Sequence, residues 1–257
     1  MGDGRLLAAF FGISFGVTWG IAAAFLAAPE FFTRQFGPLD QTNLFFIIAV
    51  YAPAMAGLFL VWLNFGAAGL GRYLSRLGRV RAPWPWYAWL VLGIPLLMLA
   101  GAAWKGTLSP PVGAGLLGAI VIAAVLGPVE ELGWRGLALP LLQRHLSPAA
   151  AGLVLGLVWG AWHLPAFFIG GTPQSGWSFL PFFVGVVAAS VIMTGLYNAS
   201  RGSLLLAMLM HFQLNNPLWP DAQPYDSALL TLVALLAWMV GRRGSFARER
   251  AVTSLVG

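Results

Sequence analysis

The most informative segment of the chain is residues 113–143, GAGLLGAIVIAAVLGPVEELGWRGLALPLLQ. It is long enough to cross a bilayer, which requires about 20 apolar residues. Pro128 lacks the backbone N–H of a helical hydrogen bond, so we expect a kinked helix there. Glu130, Glu131 and Arg135 lie within the stretch, where charged side chains are costly and usually functional. The stretch therefore predicts a membrane helix that carries a polar site.

The whole chain has the composition of a membrane protein. Of its 257 residues, 59% are hydrophobic and 9% are charged, against about 45–50% and about 25% in soluble domains. This composition excludes a soluble domain and a disordered chain. The absence of cysteine excludes disulfides, a thiol nucleophile and cysteine-ligated metals. Because the arginines stand at the ends of apolar runs, the net charge of +6 indicates membrane orientation and no nucleic-acid partner.

Runs of apolar residues divide the chain into about eight candidate transmembrane helices. We therefore predict an all-α polytopic membrane bundle with an intramembrane polar site. The predicted spans are 6–28, 43–66, 87–104, 113–143, 149–169, 179–199, 203–216 and 227–241.

The basic residues predict the orientation of the chain. Eight spans place both termini on one side, and cytosolic termini leave only Arg34 and Lys105 outside. We expect one integral-membrane domain at 1–241, with a catalytic core at about 113–216 and a basic cytosolic tail at 242–257. Length and composition favour a prokaryotic cytoplasmic membrane. The basic residues on the predicted inner side are Arg5, Arg72, Arg76, Arg79, Arg81, Arg144, Arg201, Arg242, Arg243, Arg248 and Arg250.

Two further patterns predict surfaces outside the polar site. Arg72, Arg76 and Arg79 recur at helical spacing within 67–85, which indicates an amphipathic helix on the inner membrane surface. Glycines at four-residue intervals predict close packing of helices. These glycines are Gly12, Gly16 and Gly20, and Gly152, Gly156 and Gly160.

Two carboxylates stand side by side in the fourth span. Glu131 and Arg135 are four residues apart, so they share a helical face and can pair. Glu130 points about 100° away, which leaves it available for chemistry. An ionisable side chain at the bilayer centre costs about 2.5–3.5 kcal/mol on insertion scales, so an unpaired glutamate there predicts function.

Two histidines in other spans complete a candidate catalytic set. His163 lies four residues after Trp159, and His211 lies four residues before Asn215, so each pair faces one way. A buried glutamate can take a proton from water, and an imidazole can orient that water. Histidine and asparagine can donate hydrogen bonds to a developing oxyanion. These residue types are suited to the activation of a water molecule.

Three motifs resemble one known family. They are VEELGWRG (129–136), WGAWH (159–163) and HFQLN (211–215). They are similar to the EExxxR, aromatic-xxxH and HxxxN motifs of the CPBP family. That family includes CAAX prenyl endopeptidases of the Ras-converting type and Abi-like bacteriocin-processing and immunity proteins. The order and separation of the motifs also fit.

The resemblance implies an eight-helix bundle with an intramembrane peptidase site, and we expect the peptide bond to be cleaved near the inner membrane face. It implies that Glu130 is the general base, that His163 helps to hold the attacking water, and that His211 and Asn215 stabilise the oxyanion. It gives supporting roles to Glu131, Arg135, Trp134 and Trp159.

The sequence leaves the cofactor and the substrate open. Both a metalloprotease and a metal-free glutamate mechanism have been proposed for the family that the chain resembles. If a divalent metal such as zinc takes part, its candidate ligands are Glu130, His163 and His211. The expected partner is a membrane-associated peptide or protein, in particular a prenylated CAAX tail, and the expected state is a monomer or a weak homodimer in the lipid bilayer.

Two other functions use the same residue types. Intramembrane glutamate and histidine also build the proton relays of coupled transporters. Against that reading, the sequence has no visible internal repeat and no matching pair of broken helices. The other alternative is a non-proteolytic immunity or partner protein whose site binds a second membrane protein.

Overall fold

The computed structural model describes residues 1–109, 113 and 115–256. Position 114, at the start of the predicted fourth span, and Gly257, at the end of the predicted tail, lie outside the described residues. The described residues form helices and connecting segments with no strand, which confirms the all-α prediction. The helices are α1 Asp3–Ala27, α2 Pro29–Phe36, α3 Leu44–Gly78, α4 Trp84–Lys105, α5 Leu116–His145, α6 Pro148–Phe168, α7 Phe179–Ala199, α8 Leu204–Leu214 and α9 Tyr225–Gly241.

Six of the described helices are long and apolar enough to cross a membrane, namely α1, α3, α4, α5, α6 and α7. The helices α8 and α9 coincide with the last two predicted spans, but they are shorter. The polytopic membrane bundle is therefore confirmed, whereas the count of eight full-length spans is not exact. The short helix α2 adds an element that hydropathy did not predict.

The fifth helix begins at the periphery of the bundle and then passes through its centre. Its first part, Leu116–Val125, has no buried residue. A 3₁₀ turn follows at Gly127–Glu130, where Pro128 cannot continue the α-helical hydrogen bonds. From 130 to 143 every residue is buried. The break at Pro128 therefore carries the paired glutamates from the edge of the molecule into its core.

Two apolar clusters surround this central segment. One joins α1, α3 and α6 to the second half of α5, around Phe10, Val61 and Trp134. The other joins α4, α7, α8 and α9, around Ile94, Ile192 and Met210. The paired glutamates thus lie where the two clusters meet.

The glycine stripe of α6 permits close packing against α7. A Cβ atom on Gly156 would lie 2.8 Å from the Val187 Cα atom and 2.9 Å from the Ser190 Cβ atom. The stripe of α1 differs, because a Cβ atom on Gly16 would meet nothing within 4 Å. Close packing within the chain is therefore confirmed for α6 and not for α1.

We expect Gly156→Leu to destabilise the protein by about 1–3 kcal/mol or more, because the added side chain must push α7 aside. Thermal unfolding in detergent measures this change, with Gly16→Leu as the matched control on an exposed helix face. Equal unfolding temperatures of the two variants would show that α6 and α7 do not pack as described.

The arginine-rich end of the bundle is more closely packed than the sequence indicated. Arg76, predicted on an amphipathic surface helix, is buried, and it donates to the Tyr197 hydroxyl (2.8 Å) and to the Gly136 carbonyl (2.9 Å). The segment predicted as a basic tail packs against the helices: Gln143 donates to the Val252 carbonyl (2.9 Å), and Leu255 is buried. Backbone carbonyls, which a hydropathy pattern does not represent, supply several of these contacts.

Candidate active site

The site begins at the 3₁₀ turn of α5. Gly127 opens this turn, and a Cβ atom there would lie 2.5 Å from Asn215 Nδ2 and 2.8 Å from His211 Nε2. Only glycine therefore allows the end of α8 to approach the backbone of α5 so closely. The contact brings the HFQLN motif against the turn that carries Glu130.

Glu130 is a buried carboxylate, with 3% of its surface exposed. Its Oε2 atom accepts hydrogen bonds from Trp159 Nε1 (2.9 Å) and Trp134 Nε1 (3.2 Å). An indole N–H only donates, so the two tryptophans orient the carboxylate without competing for a proton. The sequence placed both tryptophans beside the site but did not predict this contact. The signal was present for Trp134, which lies four residues after Glu130 on the same helical face.

Glu131 belongs to a second, fully buried group of charges. Its Oε1 atom lies 3.0 Å from Arg135 Nη1, at the spacing noted in the sequence. The same oxygen lies 2.7 Å from His211 Nδ1. The Arg135 guanidinium also lies 4.4 Å from the centre of the Trp159 ring. Glu131 therefore connects α5 to α8, and a cross-helix contact of this kind has no signature in sequence spacing.

His211 consequently has a defined hydrogen-bonding pattern. An ionised carboxylate only accepts hydrogen bonds, so His211 donates to Glu131 from Nδ1. Its Nε2 atom lies beside Gly127, and it can donate to an oxyanion only when the ring is doubly protonated. Asn215, at the end of α8, is exposed. Its amide donates in every protonation state of the site.

His163 follows the α-helical part of α6, which ends at Trp162, and is held by its own helix. Its Nδ1 atom lies 2.8 Å from the Trp159 carbonyl oxygen, which can only accept. The proton therefore sits on Nδ1, and Nε2 is the nitrogen left to accept a hydrogen bond from water or substrate. The rings of Trp162 and Phe182 pack edge-on against the imidazole and fix its plane.

One cavity of about 570 Å³ joins these groups. Glu130, His163, His211 and Asn215 all line it, together with the Trp159 ring. Most of the remaining wall is apolar and comes from α1, α3, α5, α7 and α9. The volume is within the usual range for ligand sites, about 300–1,000 Å³. The structure thus brings the four predicted catalytic residues to one cavity, with Glu131 and Arg135 behind it.

The residues present do not fit a pre-formed metal site. Within the described residues, no three histidine, aspartate or glutamate side chains are grouped closely enough to hold an ion. Glu131 is engaged by Arg135 and His211. The predicted set of Glu130, His163 and His211 therefore gives no ligand geometry from which to derive a metal-dependent step.

Comparison with known proteins finds relatives of the segment that builds this site. Residues 111–216 match the family described as "Type II CAAX prenyl endopeptidase Rce1-like". The chain is also 36% identical over 116 residues to the "CAAX prenyl protease 2" of Methanococcus maripaludis. That alignment covers 41% of this chain and 43% of the relative, so the chain matches less than half of its relative's length. Over the segment that carries the three motifs, the chain is therefore similar to Rce1-like CAAX prenyl endopeptidases, in agreement with the resemblance of the motifs.

Proposed function

We propose that this protein is an intramembrane endopeptidase in which Glu130 activates the attacking water. The observation that carries the proposal is the position of Glu130: a buried carboxylate, oriented by two indole donors, at the wall of a cavity that His163, His211 and Asn215 also line. A carboxylate in such a site is suited to general acid–base catalysis.

The side chains suggest a sequence of proton transfers. Glu130 takes a proton from a water that also donates to His163 Nε2, and the water oxygen attacks the scissile carbonyl carbon. The carbonyl oxygen becomes an oxyanion, which accepts a hydrogen bond from the Asn215 amide and, when the ring is doubly protonated, from His211. The intermediate then breaks its C–N bond, and the leaving amine takes the proton from Glu130. One water is consumed, and an acid and an amine are formed.

The cavity and the similar proteins support a proposal for the substrate class. The wall is mainly apolar around a few polar groups, which suits a peptide that carries a lipid or belongs to a membrane segment. The relative from Methanococcus maripaludis is named a CAAX prenyl protease. We therefore propose membrane-associated peptides as substrates, with prenylated CAAX tails as the first class to assay.

A cleavage assay with His163→Ala tests the proposal. The purified protein is incubated in detergent with a prenylated CAAX peptide and with a library of membrane peptides, and products are identified by mass spectrometry. We expect His163→Ala to lower the cleavage rate by about 10²-fold, because the water loses its second hydrogen-bond partner. His145→Ala is the control, since His145 is an exposed histidine outside the cavity, 3.2 Å from Asp3.

Each reaction is run with and without a strong chelator. Cleavage that persists in chelator supports the metal-free route, whereas loss of cleavage that zinc restores assigns the reaction to a metal enzyme. Full cleavage by His163→Ala would contradict the proposed role of the histidine.

A further inference from the structure

The two ends of the bundle differ sharply in charge. One end, here called the arginine face, is formed by residues 75–84, 144–148, 200–203 and 242–256. Arginine side chains connect its segments by hydrogen bonds. Arg79 donates to the Arg201 carbonyl (2.7 Å), and Arg144 donates to the Thr253 carbonyl (2.9 Å). The N-terminus joins the same end, since Asp3 lies 2.5 Å from Arg144.

The opposite end, here called the cavity face, is formed by residues 28–43, 105–109, 170–178 and 215–224. Its segments also contact one another. Lys105 pairs with Asp221 at 2.6 Å, and Thr107 donates to the Asp221 carbonyl at 2.6 Å. A Cβ atom on Gly171 would lie 3.5 Å from the Asp40 Cβ atom. The two faces are therefore separate surfaces at opposite ends of the helices.

The active-site cavity extends to the cavity face. Its lining includes Gln41, Gln174, Trp177, Pro220 and Gln223, all from connecting segments of that face. No residue of the arginine face lines it, and there the described part of α5 is buried up to 143. A substrate that enters from the aqueous side must therefore enter from the cavity face.

Basic residues are concentrated at the end of the bundle that the cavity does not reach. Of the 14 lysines and arginines, only Arg34 and Lys105 belong to the cavity face, and Arg135 is in the core. Nine of the other eleven belong to the arginine face, and Arg5 and Arg72 lie at the adjoining ends of α1 and α3, where Arg72 donates to the Val256 carbonyl. An excess of arginine in short connecting loops marks the cytosolic side of a membrane protein. The positive-inside rule therefore places the arginine face on the cytosolic side of the membrane and the cavity face on the other side.

We propose that the cavity opens on the non-cytosolic side, so that substrates are membrane-anchored peptides whose scissile bond is presented from the outer leaflet. The proposal rests on the proposed peptidase function for its substrate class, and on charge and geometry alone for its orientation. It differs from the expectation of cleavage near the inner face. That expectation rested on the three motifs together, which do not reveal which end of the cavity is open.

The natural absence of cysteine makes the orientation directly measurable. Gly176→Cys places a thiol on the cavity face, and Gly78→Cys places one on the arginine face. Both glycines are exposed, and a Cβ atom at either position meets nothing within 4 Å. Each variant is treated with a membrane-impermeant maleimide in intact cells and, separately, after permeabilisation. Labelling is normalised to the same protein labelled after denaturation.

We expect Gly176→Cys to be labelled in intact cells and Gly78→Cys to be labelled only after permeabilisation. Any other pattern, including labelling of both variants in intact cells, overturns the proposed orientation. The labelling needs no enzymatic activity. A failure here therefore leaves the peptidase proposal intact, and an inactive protein still reports its orientation.

The same pair of variants tests the entrance. In purified protein, a bulky maleimide attached to Gly176→Cys is expected to lower the cleavage rate at least several-fold relative to the unmodified variant, because it stands beside the mouth of the cavity. The same group on Gly78→Cys is expected to change the rate little. Equal cleavage by the two modified variants overturns entry through the cavity face.

Discussion

Replacing Glu130 by glutamine is expected to lower the rate of peptide cleavage by about 10³-fold while the protein stays folded. General acid–base catalysis by one positioned group contributes roughly 10²–10⁴-fold, and glutamine cannot take a proton from water. Its amide oxygen can still accept the indole hydrogen bonds that Trp134 and Trp159 donate to Glu130. The variant should therefore lose activity while it keeps its folded structure. The rate is measured by mass spectrometry of the products, and folding is measured by thermal unfolding.

Glu249→Gln is the matched control, because it makes the same chemical change at an exposed position on the arginine face. We expect it to cleave at the wild-type rate. Wild-type cleavage by Glu130→Gln would remove the central residue from the mechanism. If the folded wild type yields no product, the transporter alternative is tested next. The test measures whether flux into proteoliposomes depends on pH and on Glu130.

Hydropathy predicted the helices well, because length and apolar composition follow directly from the thickness of the bilayer. The predicted span 179–199 coincides with α7, and 149–169 differs from α6 by one residue at each end. The count of full spans was less accurate. The helices α8 and α9 are apolar, but 11 and 17 residues long, and composition alone does not show that a neighbouring helix covers part of such a segment.

Contacts within one helix were predictable, and contacts between helices were not. The pair formed by Glu131 and Arg135 follows from four-residue spacing. The contact between Glu131 and His211 joins residues 80 positions apart, so nothing local encodes it. The predicted oxyanion role of His211 with Asn215 falls to the Nε2 atom, because the Nδ1 atom is engaged by Glu131. Tertiary packing therefore determines the partner of His211, which the local sequence pattern could not predict.

The burial of Arg76 is a second case in which the local sequence pattern did not reveal tertiary contacts. Three arginines at helical spacing are typical of a surface helix, and Arg72 is exposed as expected. Arg76 instead satisfies its guanidinium with the hydroxyl of Tyr197 and the backbone carbonyls of Tyr73 and Gly136. Hydropathy treats every arginine alike, so it misplaces one whose hydrogen bonds are met inside the protein.

Breaking the buried ion pair is expected to destabilise the protein by about 3–5 kcal/mol. Glu131→Leu leaves the Arg135 guanidinium without its carboxylate, and an uncompensated buried charge costs this much. Both side chains are fully buried, and the Arg135 Nε and Nη2 atoms already lack hydrogen-bond partners in the described part of the structure. Few groups nearby could therefore replace the lost partner. Thermal or denaturant unfolding in detergent measures the change.

Two further variants separate the pair from its environment. The double variant Glu131→Leu/Arg135→Met removes both charges, and we expect it to recover most of the lost stability, since apolar replacements of a buried pair are often neutral. Asp221→Asn breaks the partly exposed pair with Lys105 and should cost no more than about 1 kcal/mol. A Glu131→Leu protein as stable as Asp221→Asn would show that the pair carries no stability.

The double variant also separates stability from catalysis. Removal of Glu131 releases His211 Nδ1, which lies 2.7 Å from the carboxylate, so the ring loses the contact that orients it toward the cavity. We therefore expect the double variant to be folded but at least about 10-fold slower in cleavage. Glu130→Gln, by contrast, should be slow without being unstable. Lost activity at unchanged stability in Glu130→Gln, together with lost stability in Glu131→Leu, would mean that the Glu130 carboxylate performs the chemistry while the Glu131 carboxylate holds the helices that frame it.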